Sequence, residues 1–159
     1  MKYGLARADT YEKRFHQLIK KTDSDASPDL IVEENELKLL DLPIAKELIK
    51  KLTAFEKEEG YLKLNLKLSD LSKSFDTNNS YLSKTINHYK GKNFSQYIND
   101  LRINYTINKL KKEKKFRKYT IKAISEEVGF NNAESFAKAF YNNTGLQPSY
   151  FIKKLQEEC

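Results

Sequence analysis

Apolar side chains recur along most of the chain at intervals of three and four, separated by charged and amide residues, which is the period of helices buried on one face. In "YEKRFHQLIKK" Tyr11, Phe15, Leu18 and Ile19 form a narrow stripe on a basic helix, free either to pack on a partner helix or to lie loose. The stretch "TDSDASPDLIVEEN" that follows is polar with one proline and reads as a linker. From Pro43, "PIAKELIKKLTAFEKEEG" aligns Ile44, Leu48, Leu52 and Phe55, with Pro43 suited to a first helical turn and Gly60 to the exit. Two short helices come next, "LSDLSKSF" and "NSYLSKTINHYKG", with Asn79 as N-cap and Gly91 as left-handed C-terminal cap, a helix-turn-helix pattern. "NFSQYINDLRINYTINKLKK" opens with Asn93 and Gln96 at capping-box spacing and carries Tyr97, Ile98, Leu101, Tyr105 and Leu110 along one side. A second short pair, "TIKAISEEVG" and "NNAESFAKAFYNNTG", precedes a closing helix that starts at Pro148 and carries Tyr150, Phe151 and Leu155. The expected fold is all-α, with about seven helices plus an N-terminal leader helix and no strand.

Charge sharpens this picture. The net +7 is uneven: residues 1–28 carry +2, residues 29–60 carry −4 and residues 61–159 carry +9. An anionic partner, nucleic acid or an acidic membrane surface, is therefore sought in the later part of the chain. The connector "KLKKEKKFRKYTIK" alone holds eight basic residues and one acid. Elsewhere such a run is usually a solvated loop, but beside a helix-turn-helix pair it suits phosphate contact.

The two short-helix pairs lie over each other. Leu71 matches Ile124, Ser72 matches Ser125, Phe75 matches Val128, Asn78 matches Asn131 and Asn79 matches Asn132. With a one-residue gap placed after that point, Tyr81 meets Ser135, Leu82 meets Phe136, Ile86 meets Phe140 and Gly91 meets Gly145. Core positions pair with core positions, and caps with caps, as two copies of one supersecondary unit would.

In the second copy Ile121, Ile124, Val128, Gly129, Phe130, Ser135, Phe136, Phe140, Gly145, Pro148 and Tyr150 fill a pattern that resembles the C-terminal signature of the AraC/XylS family of bacterial transcription regulators. The first copy, "L..LS..F....SYLSK.I....G" followed by "F..YI...RI..T...L", is similar to the family's first helix-turn-helix and long connecting helix. The likeness covers about residues 44 to 155. It implies two helix-turn-helix subdomains joined by a long connecting helix. A basic leader helix and polar linker would occupy residues 1–42 and a DNA-binding domain residues 43–159. Within that domain the first helix-turn-helix spans about 68–91, the connecting helix about 94–113, the second helix-turn-helix about 120–145 and the closing helix about 148–158. A connecting rod of about 20 residues and 30 Å approaches the ~34 Å between major-groove faces one turn apart.

The resemblance implies double-stranded DNA, at a promoter or operator, as partner. In the first recognition helix the exposed set is Asn79, Ser80, Ser83, Lys84 and Asn87; the resemblance sets Ser80, Ser83 and Lys84 against bases, with Asn79 beside them. In the second it is Asn132, Ala133, Glu134, Ala137 and Lys138, where Glu134 suits a cytosine amino group and Ala133 or Ala137 a thymine methyl. The aromatics Phe136, Phe140 and Tyr141 are expected to fasten that helix to its subdomain. Lys84 and Lys138 stand where the family often has arginine, and a lysine is a single flexible charge without the guanidinium fork, which softens base preference. Lys112, Lys115, Arg117, Lys118 and Lys122 are expected at phosphates, with Thr120 capping a helix whose N-terminus also meets one. RNA polymerase and a homodimer, through the leader or a separate sensor domain, complete the expected partners.

Other chemistries lack their residues. His16 and His88 are the only histidines, without neighbours at ligand or triad spacing, and no Walker sequence or GxGxxG occurs, so neither a metal, a cofactor nor an enzyme activity is expected. The single cysteine, Cys159, excludes an internal disulfide. There is no apolar run of membrane-spanning length and no signal-peptide core, so the expected location is the cytoplasm. The first 42 residues are too few and too polar for a sensor domain. Two readings stand, a standalone regulator and a fragment of a longer one; the leader's resemblance to juxtamembrane linkers of membrane-tethered relatives favours the fragment. The alternative function is a helical protein-interaction or membrane-surface module with a basic face. RNA binding would need exposed stacking aromatics, whereas those present fall at core-facing spacing.

Overall fold

A computed structural model of the chain describes residues 2–21 and 42–158. The polar linker expected after the leader lies outside the described residues, as does Cys159. Among the described residues there are eight α-helices and no strand. They are α1 (Lys2–Lys21), α2 (Leu42–Lys57), α3 (Leu68–Ser74), α4 (Asn79–Lys90), α5 (Phe94–Lys112), α6 (Ile121–Glu127), α7 (Ala133–Thr144) and α8 (Pro148–Glu158). Single 3-10 turns, Gly60–Leu62 and Phe116–Lys118, precede the two short-helix pairs. The all-α expectation of seven helices and a leader is met.

The described residues divide into two compact units, one formed by residues 42–102 and the other by residues 2–21 together with 103–158. In the first unit Ala45, Leu48, Leu52 and Phe55 of α2 are buried, while Ile44, expected in that stripe, is only half covered. The Phe55 ring meets Tyr61 and Phe75 edge-on, each at 6.3 Å. Gly60 does not make the left-handed exit from α2; Glu59 does, at φ 58°. Gly60 is required instead by close approach, since a Cβ there would lie 2.5 Å from the Phe55 ring. Arg102 is buried and donates from Nε to the Tyr61 carbonyl (2.6 Å) and from Nη2 to the Lys63 carbonyl (2.8 Å). It ties α5 to the turn before α3, and burial lowers the guanidinium pKa below its ordinary value.

The second unit is built on aromatic packing. Phe116, Phe136, Phe140 and Phe151 are fully buried with Ile103, Ile107, Leu110 and Ile124. Phe15 of α1 enters the same core at 0% exposure and lies 5.1 Å from the Phe151 ring. The leader stripe thus packs on α8, its contacts extended by Tyr11 against Tyr150 at 5.8 Å and Lys154 Nζ against Glu12 Oε1 at 2.7 Å. Lys111 donates to the Ile19 carbonyl near the end of α1 (2.9 Å). Burying one such phenyl ring contributes about 2–3 kcal/mol before entropy.

The expected capping box at the start of α5 forms, with Asn93 N–H donating to Gln96 Oε1 (3.2 Å) and Gln96 N–H to Asn93 Oδ1 (2.9 Å). The expected stripe on α5 is different. Tyr97, Ile98 and Arg102 are buried in the first unit, and Ile103, Thr106, Ile107 and Leu110 in the second, while Leu101 and Tyr105 are half-buried. A helix that serves two cores has no single apolar face for periodicity to find.

Candidate nucleic-acid interface

The two short-helix pairs repeat down to single hydrogen bonds. After α3, Asp76 N–H donates to the Lys73 carbonyl and Thr77 N–H to the Ser72 carbonyl; after α6, Gly129 N–H donates to Glu126 and Phe130 N–H to Ser125. These are the two bonds of a Schellman motif, and each needs a left-handed residue. Gly129 supplies it at φ 96° in the second copy and Asp76 at φ 55° in the first, aspartate being one of the few side chains that tolerate this region.

Helices α4 and α7 both have 12 residues and both begin after an asparagine cap. Asn78 Oδ1 accepts from Tyr81 N–H (2.9 Å), and Asn132 Oδ1 from Ser135 N–H (2.7 Å). This corrects the expected N-cap from Asn79 to Asn78. It also moves the gap between the copies into the turn, so that Asn78, not Asn79, corresponds to Asn132. Both helices end on a left-handed glycine, Gly91 at φ 66° and Gly145 at φ 76°.

With this register the faces agree position by position. Leu82, Thr85 and Ile86 are buried in α4, and Phe136, Ala139 and Phe140 at the same places in α7. The opposite strip holds Asn79, Ser80, Ser83, Lys84 and Asn87 in α4, and Ala133, Glu134, Ala137, Lys138 and Tyr141 in α7. Ser83, Ala133 and Ala137 are half-buried on it and the others exposed. Ser80, Lys84, Glu134 and Lys138 carry no side-chain bond or ion pair among the described residues. Asn79 is partly engaged, its Oδ1 accepting from Ser72 Oγ at 2.6 Å, and the Asn132 oxygen serves the cap.

Tyr141 was expected as an anchor, and it is not one. It is 44% exposed, whereas Phe136 and Phe140 are fully buried. One residue beyond Phe140 is a rotation of about 100°, which carries the ring from the core face onto the exposed strip. Tyr141 and Asn87 hold the same place in the two helices; the spacing of Tyr141 from Ala137 and Lys138, four and three residues, was the signal that would have found it.

Among the residues expected at phosphates, Lys112, Lys115, Lys118 and Lys122 are exposed and carry no carboxylate partner among the described residues. Thr120 caps α6, its hydroxyl oxygen accepting from Ala123 N–H (3.0 Å). Arg117 is a correction: it is 6% exposed and points inward. Its Nε donates to the Leu110 carbonyl (2.6 Å) and its Nη2 to the Lys111 carbonyl (3.0 Å), closing the C-terminus of α5, where carbonyls lack helical partners and attract cations. Lys109 is engaged too, 2.9 Å from Glu127 Oε1 and 4.7 Å from the Phe116 ring centre. Partial burial opposes its charge, but the Glu127 hydrogen bond and the charges of Tyr105, Glu127 and Glu113 outweigh that and raise its pKa.

His16 lies 4.0 Å from Glu158 at the surface, and His88 is half-buried against Tyr89 at 5.1 Å. Among the described residues no group of three or more His, Cys, Asp or Glu could hold a metal ion, and no helix is long and apolar enough to cross a membrane.

Comparison with known proteins bears on this geometry. A helix-turn-helix domain family model matches residues 71–154, which is 84 of the 159 residues. A transcriptional regulatory protein of Bacillus subtilis, YesN, is 35% identical over 78 residues, covering 48% of this chain and 20% of its own. The Msm operon regulatory protein of Streptococcus mutans is 32% identical over 92 residues, covering 58% of this chain and 32% of its own. The match therefore spans a third or less of the length of these two relatives. A Chromobacterium violaceum transcriptional regulator structure, described as containing an AraC-type DNA-binding domain, superposes with a TM-score of 0.58 at 18% identity, over 72% of this chain and 96% of its own.

Proposed function

Because the chain belongs to the AraC-type helix-turn-helix family of DNA-binding transcription regulators, we propose that it recognises a two-part promoter or operator site by inserting α4 and α7 into the major groove. The observation that carries this reading is the matched strip on the two helices. Each is clamped by a fully buried apolar face and opens at its N-terminal end on small or polar side chains. Such side chains let a helix approach base edges closely. Ser80, Ser83 and Lys84 on α4, and Ala133, Glu134, Ala137 and Lys138 on α7, are the proposed base contacts. Asn79 and Asn132 flank them with the amide groups that their internal bonds leave over. Lys112, Lys115, Lys118, Lys122 and the N-terminal end of α6 at Thr120 are the proposed phosphate contacts, adding affinity and salt dependence without sequence choice. RNA polymerase and a second copy of the chain are the proposed protein partners, each checked by a further mobility shift of the DNA complex.

Selection of bound sequences from a random duplex pool, at low and near-physiological salt, tests the reading. The expected result is a motif in two parts separated by about 10 base pairs. Recovery of unselected DNA that disappears with salt overturns it, because only the phosphate contribution would then exist. Ala133→Glu combined with Lys138→Ala is expected to abolish binding to the selected duplex while circular dichroism shows the helices intact.

A further inference from the structure

Tyr141 has no evident role in holding the fold. Its phenol ring is 44% exposed and has neither a ring partner nor a side-chain hydrogen bond among the described residues. Its backbone is nevertheless firmly held. Gly145 N–H donates to the Tyr141 carbonyl (2.7 Å), Phe140 just before it is fully buried, and buried Thr144 bonds the Phe140 carbonyl (2.7 Å). The side chain thus projects from a rigid turn, so that little order has to be imposed on the backbone when something binds it.

Its neighbours on the strip, Ala133 and Ala137, have no atom beyond Cβ to cover it. From Ala133 to Tyr141 the strip is about 12 Å long at 1.5 Å per residue, comparable to a major groove about 12 Å wide. On a strip whose other members are Ala133, Glu134, Ala137 and Lys138, the Tyr141 ring offers the largest apolar area. The apolar group that the major groove presents is the thymine 5-methyl. We propose that Tyr141 selects a thymine at one end of the second half-site, packing its ring on that methyl group. This inference rests on the DNA reading above. In α4 the same place holds Asn87, so the two half-sites differ there in chemistry, apolar against amide.

The test uses the full chain and the duplex it selects, with each thymine replaced singly by deoxyuridine, which removes only the methyl group. One replacement in the second half-site is expected to weaken the wild-type protein and Tyr141→Phe alike, by about fourfold, the value of one buried methyl. The same replacement should leave Tyr141→Ala unchanged. A Tyr141→Ala protein with wild-type affinity and the wild-type deoxyuridine profile overturns the inference and leaves the DNA reading standing. So does a loss in Tyr141→Phe with no methyl dependence, which would put the hydroxyl on a phosphate. A wild-type protein that selects no motif brings down both.

Discussion

Arg102 and Arg117 show how far one side chain's role depends on where a carbonyl lies. Both are buried, and both direct Nε and Nη2 to two main-chain oxygens. A lysine retains the charge but not the fork. Arg117→Lys is expected to lower stability by roughly 1.5–3 kcal/mol, the range for hydrogen bonds to a charged group, measured as a shift in the urea midpoint. The salt dependence of DNA binding should not change, since Arg117 meets no phosphate. Tyr97 gives a pH-dependent case. Burial, then its 2.7 Å hydrogen bond to Glu56 and that carboxylate's charge, raise the phenol pKa far above its ordinary value of 10.0. Above pH 10.0 an unfolded Tyr97 releases its proton and the folded one keeps it, so the stability it contributes is full below that pH and falls as pH rises further. Denaturation midpoints between about pH 9 and 11 should decline less steeply in Tyr97→Phe than in the wild type.

At the level of elements, α1 is the helix whose partner periodicity left open. Phe15 is at 0% exposure against Phe151, and Lys154 holds Glu12. Phe15→Ala is expected to cost about 3–5 kcal/mol, read as a loss of stability of the second unit in thermal or urea denaturation. A change of less than about 1 kcal/mol would mean that α1 is not part of that core. Helices α3 and α6 have only seven residues each. Helices so short are marginal alone, and these are held by their Schellman turns and by buried Leu71 and Ile124.

For the whole molecule the decisive quantity is the distribution of charge. The +9 of residues 61–159 is not all available to an anionic partner, because Arg102 and Arg117 are buried and bond internal carbonyls. Lys112, Lys114, Lys115, Lys118 and Lys122 are exposed around the connector, and the four proposed at phosphates are Lys112, Lys115, Lys118 and Lys122. Replacing all four with alanine is expected to reduce the slope of log affinity against log salt by roughly 3–4, at about 0.9 per phosphate contact, and to leave the selected motif unchanged. A changed motif with an unchanged slope would put these lysines on bases.

Sequence alone determined the order and approximate bounds of the helices, the glycine caps at Gly91 and Gly145, the Thr120 cap and the Asn93–Gln96 box. All of these depend on residues three or four apart, and that spacing is written directly in the chain. Most of the exposed strip was legible for the same reason, since Leu82, Ile86, Phe136 and Phe140 mark the buried face and the rest follows by rotation. Only the tertiary structure decided that Arg117 turns inward, that Asn78 is the cap, that Phe15 finds Phe151, and that Tyr141 faces solvent. A guanidinium suits a phosphate and a helix end equally, two adjacent asparagines suit a cap equally, and an aromatic beside a core position suits either face. Which alternative holds depends on the groups that folding brings alongside, and those come from distant parts of the chain.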